Sequence, residues 1–273
     1  MNELNLDYLN RQIKFTGFGE GHAAELKAKI EKGEVEFVLL HNQDFGKDQT
    51  AATLHFRKAE NSDMYFFNRY ALLLKTDQYP DPIKQTFYVN AKQDNITLKE
   101  AYNLLSGRSV FKEMTPKEGE KYKAWLLLDF KDINANGQFK MNQISGKNGF
   151  DLEASLVKHP IQELNTNEGT RRLLESLERG NRQQVGYGPE GQIQKVYLEA
   201  APKFNSLNFF DSKMERVLSY NIVPKQVVEQ SQKQGVKEKM PVEAETPKKG
   251  LKKNAETVEK QAPKKRKTQK MNR

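Results

Sequence analysis

All 26 aromatic residues fall before position 221, and the 53 residues beyond it account for the whole formal charge of +9. This division constrains the fold more than any motif does. Residues 221–273 carry 15 Lys and Arg against 6 Asp and Glu, whereas the preceding 220 residues carry 30 of each. The end segment is dominated by Lys, Gln, Glu, Val, Thr and Pro, with Pro224, Pro241, Pro247 and Pro263 spread through it. It has too little apolar surface to offset the entropy of ordering its backbone. The expectation is a neutral folded body, residues 1–220, followed by a disordered Lys-rich tail. As a flexible coil that tail would span about 40 Å end to end.

Punctuation by caps and glycines organises the body. Residues 1–33 read as a helical segment: a short helix opens near Asp7, Gly17, Gly19 and Gly21 break it, and a second helix over 22–32 stops at Gly33. Strands are expected at 35–40 and 52–56, flanking a turn-rich stretch from His41 to Gly46, and again at 64–75 and 85–90. Thr97-Leu98-Lys99-Glu100 is a capping box ahead of a helix that Gly107 ends. Residues 125–130 and 138–145 form a hairpin around Asn134-Ala135-Asn136-Gly137. Asp151 caps a short helix, Asn165-Thr166-Asn167-Glu168 offers the cap of another that stops at Gly180, and strands at 184–187, 192–198 and 206–210 complete the body.

The fold class is therefore α+β, with two strand-rich units over 34–112 and 119–220. A weak internal repeat supports the pairing. Leu72-Leu73-Leu74, Gln85 and Glu100-Ala101 recur as Leu126-Leu127-Leu128, Gln138 and Glu153-Ala154, each block in the order strand, turn, strand, helix. Internal duplication and coincidence among common residue types both account for it.

Several function classes have no support. The chain has no cysteine, hence no disulfide framework, thiolate metal site or thiol nucleophile. The acidic start, from Glu3 to Asp7, does not resemble a secretory signal, and no apolar run approaches the roughly 20 residues of a spanning helix. A cytoplasmic protein without membrane contact is expected. Asp132-Ile133-Asn134-Ala135-Asn136-Gly137 fits the first half of a calcium loop, but the twelfth position is Gln143, not a bidentate carboxylate, so we read a hairpin turn. Gly17, Gly19 and Gly21 lack the spacing of a dinucleotide fingerprint, and Glu20 would repel phosphate. The histidines at 22, 41, 55 and 159 are dispersed, and no serine elbow occurs. No metal, cofactor or catalytic residue is assigned, and the reading leans away from an enzyme.

Two features point to binding. Met64 to Tyr70 mixes aromatics with Arg69; on a regular strand Phe66, Asn68 and Tyr70 share one face and Tyr65, Phe67 and Arg69 the other. Exposed, such a strand stacks on unpaired bases; buried, it is core, which is the reading preferred here. In the tail, Lys248, Lys249, Lys252 and Lys253 form one basic cluster, and Lys264, Lys265, Arg266, Lys267, Lys270 and Arg273 another with no carboxylate after Glu259. Mobile cations of this kind attract DNA or RNA by counterion release, without sequence preference.

Segments across the body also resemble a known family. They include Thr53-Leu54-His55-Phe56-Arg57-Lys58, Asp63 to Asn68, Thr97 to Arg108, Lys123-Ala124-Trp125 with Leu128-Asp129-Phe130, Gly149 to Ala154, Lys158-His159-Pro160-Ile161 and Leu177 to Asn181. Together, from about Phe15 to Val217, these are similar to domain-of-unknown-function family 3945 of Bacteroidota. The resemblance implies a bacterial cytoplasmic protein associated with mobile genetic elements, near DNA-processing functions, and argues against a nuclear address in the tail. It brings no catalytic residues. The leading expectation is a non-catalytic accessory protein whose tail contacts nucleic acid while the neutral body binds an unidentified protein partner. The alternatives are a protein–protein adaptor with no nucleic-acid role and an uncharacterised nucleic-acid-processing enzyme.

Overall fold

The chain begins with a helix because Asn2 supplies what the first turn lacks. Its side chain accepts a hydrogen bond from the Asn5 amide at 3.1 Å, capping α1 (Glu3–Ile13). A wide turn, Lys14–Phe18, follows, and Gly17 adopts φ +94° within it. Then come α2 (Ala23–Glu31) and four antiparallel strands, β1 (Glu36–Phe45), β2 (Asp48–Lys58), β3 (Tyr65–Lys75) and β4 (Ile83–Tyr88), in that spatial order. The computed structural model describes residues 2–91, 94–116, 118–145 and 149–222, which belong to one compact unit. Its class is α+β.

The capping box forms as the sequence requires. Thr97 and Glu100 bond reciprocally at the start of α3 (Leu98–Leu105), and Gly107 adopts φ +78° beyond its end. A second antiparallel sheet is built from β5 (Val110–Met114), β6 (Tyr122–Ile133) and β7 (Phe139–Ser145). Asp151 caps α4 (Leu152–Leu156), and Thr166 caps α5 (Asn167–Glu178). The third sheet has the order β11-β10-β9-β8, from β8 (Gln183–Tyr187), β9 (Gln194–Ala201), β10 (Ser206–Phe210) and β11 (Arg216–Val217). A short helix, α6 (Ser219–Ile222), closes the described region.

Two hydrophobic cores share the middle sheet. The first gathers α1, α2, α3 and the inner face of the β1–β4 sheet, and receives Val110, Ala124, Leu126 and Leu128 from β5 and β6. The second gathers α4, α5 and the β8–β11 sheet around Trp125, the next residue along β6. Strand alternation thus sends successive β6 side chains into different cores. Of the residues between the two units read from sequence, Glu113 and Met114 end β5, whose pairing with β6 runs from Val110 with Leu126 to Met114 with Tyr122.

The repeat positions meet in space. Gln85 of β4 donates to the Phe139 carbonyl (3.1 Å) and accepts from the Phe139 amide (2.9 Å). Reciprocally, Gln138 accepts from the Thr86 amide at 2.5 Å. Each glutamine therefore binds the backbone of the residue after its counterpart, joining the edge of the first sheet to the edge of the second.

Three local expectations are corrected. The stretch from His41 to Phe45 is strand: Asn42, Gln43 and Asp44 pair with Ala51, Thr50 and Gln49, and only Gly46-Lys47 turns, with Gly46 at φ +66°. The polar side chains there face solvent from a paired backbone. On β3, Phe56 pairs with Phe67 and His55 with Arg69, which leaves Asn68 as an extra residue. This bulge shifts the alternation, so Tyr65, Phe67 and Tyr70 all enter the core while Phe66 and Arg69 face outward. Finally, β5 and β11 form where the sequence reading placed no strand.

Candidate functional site

A cleft of about 860 Å³ opens where five parts of the chain converge. Its walls are the β1–β2 turn, Thr76 and Gln78 of the β3–β4 connection, α3 with Arg108, the α5–β8 loop with Arg182, and the β10–β11 turn with Lys213. Lys47 also lines it. The body is neutral overall, yet five cations and only two carboxylates, Asp44 and Asp48, border this cleft.

An aromatic stack positions the cations. Phe45 and Tyr102 lie with centroids 4.3 Å apart and planes within 18°. Lys99 reaches over both rings, its Nζ 4.4 Å from one centroid and 4.7 Å from the other. The Arg108 guanidinium sits 5.0 Å from the Tyr102 centroid. Ring faces are electron-rich, so they hold cations without neutralising them. Burial, then the neighbouring Arg108 charge, holds the Lys99 ammonium below the ordinary lysine range. The Tyr102 hydroxyl donates to Asp48 (2.9 Å), occupying one of the two carboxylates, and its own titration is pushed up by burial and by that bond.

Asn103 fixes the cleft's floor. It is fully buried, and its Nδ2 donates to the Arg179 carbonyl (2.6 Å) and to Asn181 Oδ1 (3.1 Å), while its Oδ1 accepts from Arg108 Nη2 (2.6 Å). One side chain therefore ties α3 to the end of α5 and aims Arg108. The Nε of Arg108 is buried without a hydrogen-bond partner among the described residues. Arg182 is differently placed: it pairs with Glu199 at 3.1 Å and stacks 3.7 Å from the Phe210 centroid. Lys47 pairs with Asp77. Among the described residues, Lys99, Arg108 and Lys213 have no carboxylate at salt-bridge distance. Three uncompensated cations, two of them held over aromatic rings, favour an anion with several oxygens, such as phosphate.

A second groove, about 470 Å³, collects five carboxylates, three of them in ion pairs. Glu100 pairs with Lys112 (2.9 Å) and Glu113 with Lys121 (2.8 Å), while Glu175 pairs with Arg171. Asp94 accepts from Asn90 and from the Thr115 amide. Burial raises the Glu178 carboxyl above the usual range, and Lys123 draws it partly back.

The histidines are not all dispersed. His22 Nε2 and His41 Nδ1 lie 3.1 Å apart, linking α2 to β1, and Phe18 meets His41 edge-on at 5.3 Å. Their separation of 19 positions hid the pair. His159 instead contacts the Tyr187 hydroxyl at 3.3 Å. The Asp132 to Gly137 motif is a turn: Asn134 Oδ1 accepts from the Asn136 and Gln138 amides, and Asp132 pairs with Lys140. Among the described residues, no three His, Asp or Glu side chains group as metal ligands would.

The tail cations, Lys248, Lys249, Lys252, Lys253, Lys264, Lys265, Arg266, Lys267, Lys270 and Arg273, lie outside the described residues. Sequence reading missed the cleft because its cations are scattered along the chain. No helix among the described residues is long and apolar enough to cross a membrane. Comparison of the chain with protein-family models, with curated proteins and with solved structures found no match.

Proposed function

We propose that the protein is a non-catalytic accessory factor that binds nucleic acid through phosphate, using the body cleft together with the basic tail, and that it serves a mobile genetic element alongside a protein partner. The observation that carries the nucleic-acid part is the set of three cations, Lys99, Arg108 and Lys213, without carboxylate partners. Each uncompensated cation is a site from which phosphate displaces counterions. The mobile-element setting rests on the sequence resemblance alone.

The test is fluorescence anisotropy with short DNA and RNA at two salt concentrations. The full chain is compared with a cleft variant, Lys99→Gln/Arg108→Gln/Lys213→Gln, and a tail variant, Lys264→Gln/Lys265→Gln/Arg266→Gln/Lys267→Gln. Each lost phosphate contact should lower the salt slope by about 1. Binding by the full chain that neither variant weakens would refute the assignment of both elements.

A further inference from the structure

The outer face of the β1–β4 sheet has no covering layer among the described residues. Its inner face packs into the first core, but the opposite side leaves Leu40 67% exposed, Phe66 48% and Tyr88 75%. Cross-strand register arranges this face as rows. One row runs Val38, His55, Arg69, Tyr88; the next runs Leu40, Thr53, Ala71, Thr86. Successive rows lie about 7 Å apart along the strands, and neighbours within a row about 5 Å apart.

The rows are flat where it matters. Thr53, Ala71 and Thr86 are short, so Tyr88 and Arg69 stand above a low floor. Tyr88 has no ring or hydrogen-bond partner among the described residues. Arg69, directly opposite it across β3 and β4, has no carboxylate at salt-bridge distance, nor does Lys84, two rows away. The acidic Glu36 on this face is already paired with Arg57. The bulge at Asn68 creates this arrangement: it sends Tyr70 inward and turns Arg69 outward beside Tyr88.

An exposed ring flanked by an uncompensated cation, over a floor of small side chains, is complementary to an unpaired base and its phosphate. Paired bases keep their faces inside the duplex stack and cannot use the ring. We infer that the outer face of the first sheet is a stacking platform for single-stranded nucleic acid, with Tyr88 taking a base and Arg69 and Lys84 taking phosphates. This rests on the nucleic-acid reading above and adds a preference for single strands that neither the cleft nor the tail supplies.

The test uses the full chain with labelled oligothymidylate and a duplex of equal length, in a salt titration that reaches near-physiological concentration, where exposed tail charges are better screened than at low salt. Tyr88→Ala should weaken oligothymidylate binding roughly 5- to 150-fold, the range for losing one stacked base, and leave duplex binding unchanged. Tyr88→Phe should bind as the parent does, because the ring and not the hydroxyl makes the stack. Arg69→Gln should reduce the salt slope by about 1. If the parent binds and Tyr88→Ala binds equally well, or loses both ligands equally, the platform is refuted while the broader function stands. If the parent binds neither ligand, the nucleic-acid reading itself falls. If the parent sediments as a dimer that Tyr88→Ala dissociates, the face belongs to a second copy and the platform is refuted.

Discussion

Gly180 offers a quantitative check on how closely the two cores meet. It follows α5 at φ +79°, and a Cβ there would lie 2.8 Å from the Ser109 carbonyl oxygen, 2.9 Å from Val110 Cγ2 and 3.1 Å from Asn103 Cβ. Gly33 has a similar φ of +71° but no atom within 4 Å of the Cβ position. Alanine at either site bears the left-handed backbone cost, about 1–2 kcal/mol. Only at Gly180 is there also overpacking, typically a further 1–3 kcal/mol, because Ser109 is backbone and cannot rotate away. Gly180→Ala should therefore cost about 3 kcal/mol and Gly33→Ala about 1. At roughly 2–4 °C per kcal/mol for a body of this size, melting should fall by about 6–12 °C and about 2–4 °C. Circular dichroism melts with urea titrations would measure both. Equal losses in the two variants would refute the close approach of α5 to β5 and α3.

Other perturbations follow the same reasoning. Thr97→Ala removes the α3 cap and should cost about 1 kcal/mol by urea denaturation, whereas Glu100→Ala should cost more because it also strands Lys112. Lys112→Met leaves Glu100, whose side chain is only 10% exposed, without its cation, and should cost about 3 kcal/mol; Glu100→Gln in that background should recover part of it. His22, His55 and His159 titrate below the ordinary histidine range, each chiefly through burial. The unfolded chain then binds more protons, so stability should fall as pH drops from 7 through about 6.5 and level off once the folded-state values are passed. Glu178, raised by burial, acts in the opposite sense nearer pH 4.5. A urea midpoint that stays flat between pH 7 and 5.5 would contradict the histidine burial.

Local punctuation was legible in the sequence, because caps and glycines act within a few residues. Thr97 and Asp151 each start the helix expected of them, the cap offered by Asn165 to Glu168 falls on Thr166, and the Asn134 to Gly137 turn joins β6 to β7. What escaped depends on partners far along the chain. Val110 and Phe111 of β5 face different cores, so no alternation of apolar and polar residues marks the strand. The bulge at Asn68 is set by pairing with β2 and is invisible in β3 alone. The cleft draws on residues from Asp44 to Met214, so its charge becomes a pattern only after folding. The candidate stacking strand was read as core, and three of its aromatics are; the exposed pair, Phe66 and Tyr88, needed the register to be recognised.

The middle sheet is a party wall. Ala124, Leu126 and Leu128 furnish one room while Trp125, between them, furnishes the other, so a slip of one residue in β6 would unfurnish both at once. Neither half of the body can be excised with its interior complete, since a cut between β5 and β6 separates strands that line both. The body should melt in a single step, and lineages carrying it should inherit, exchange and lose it whole.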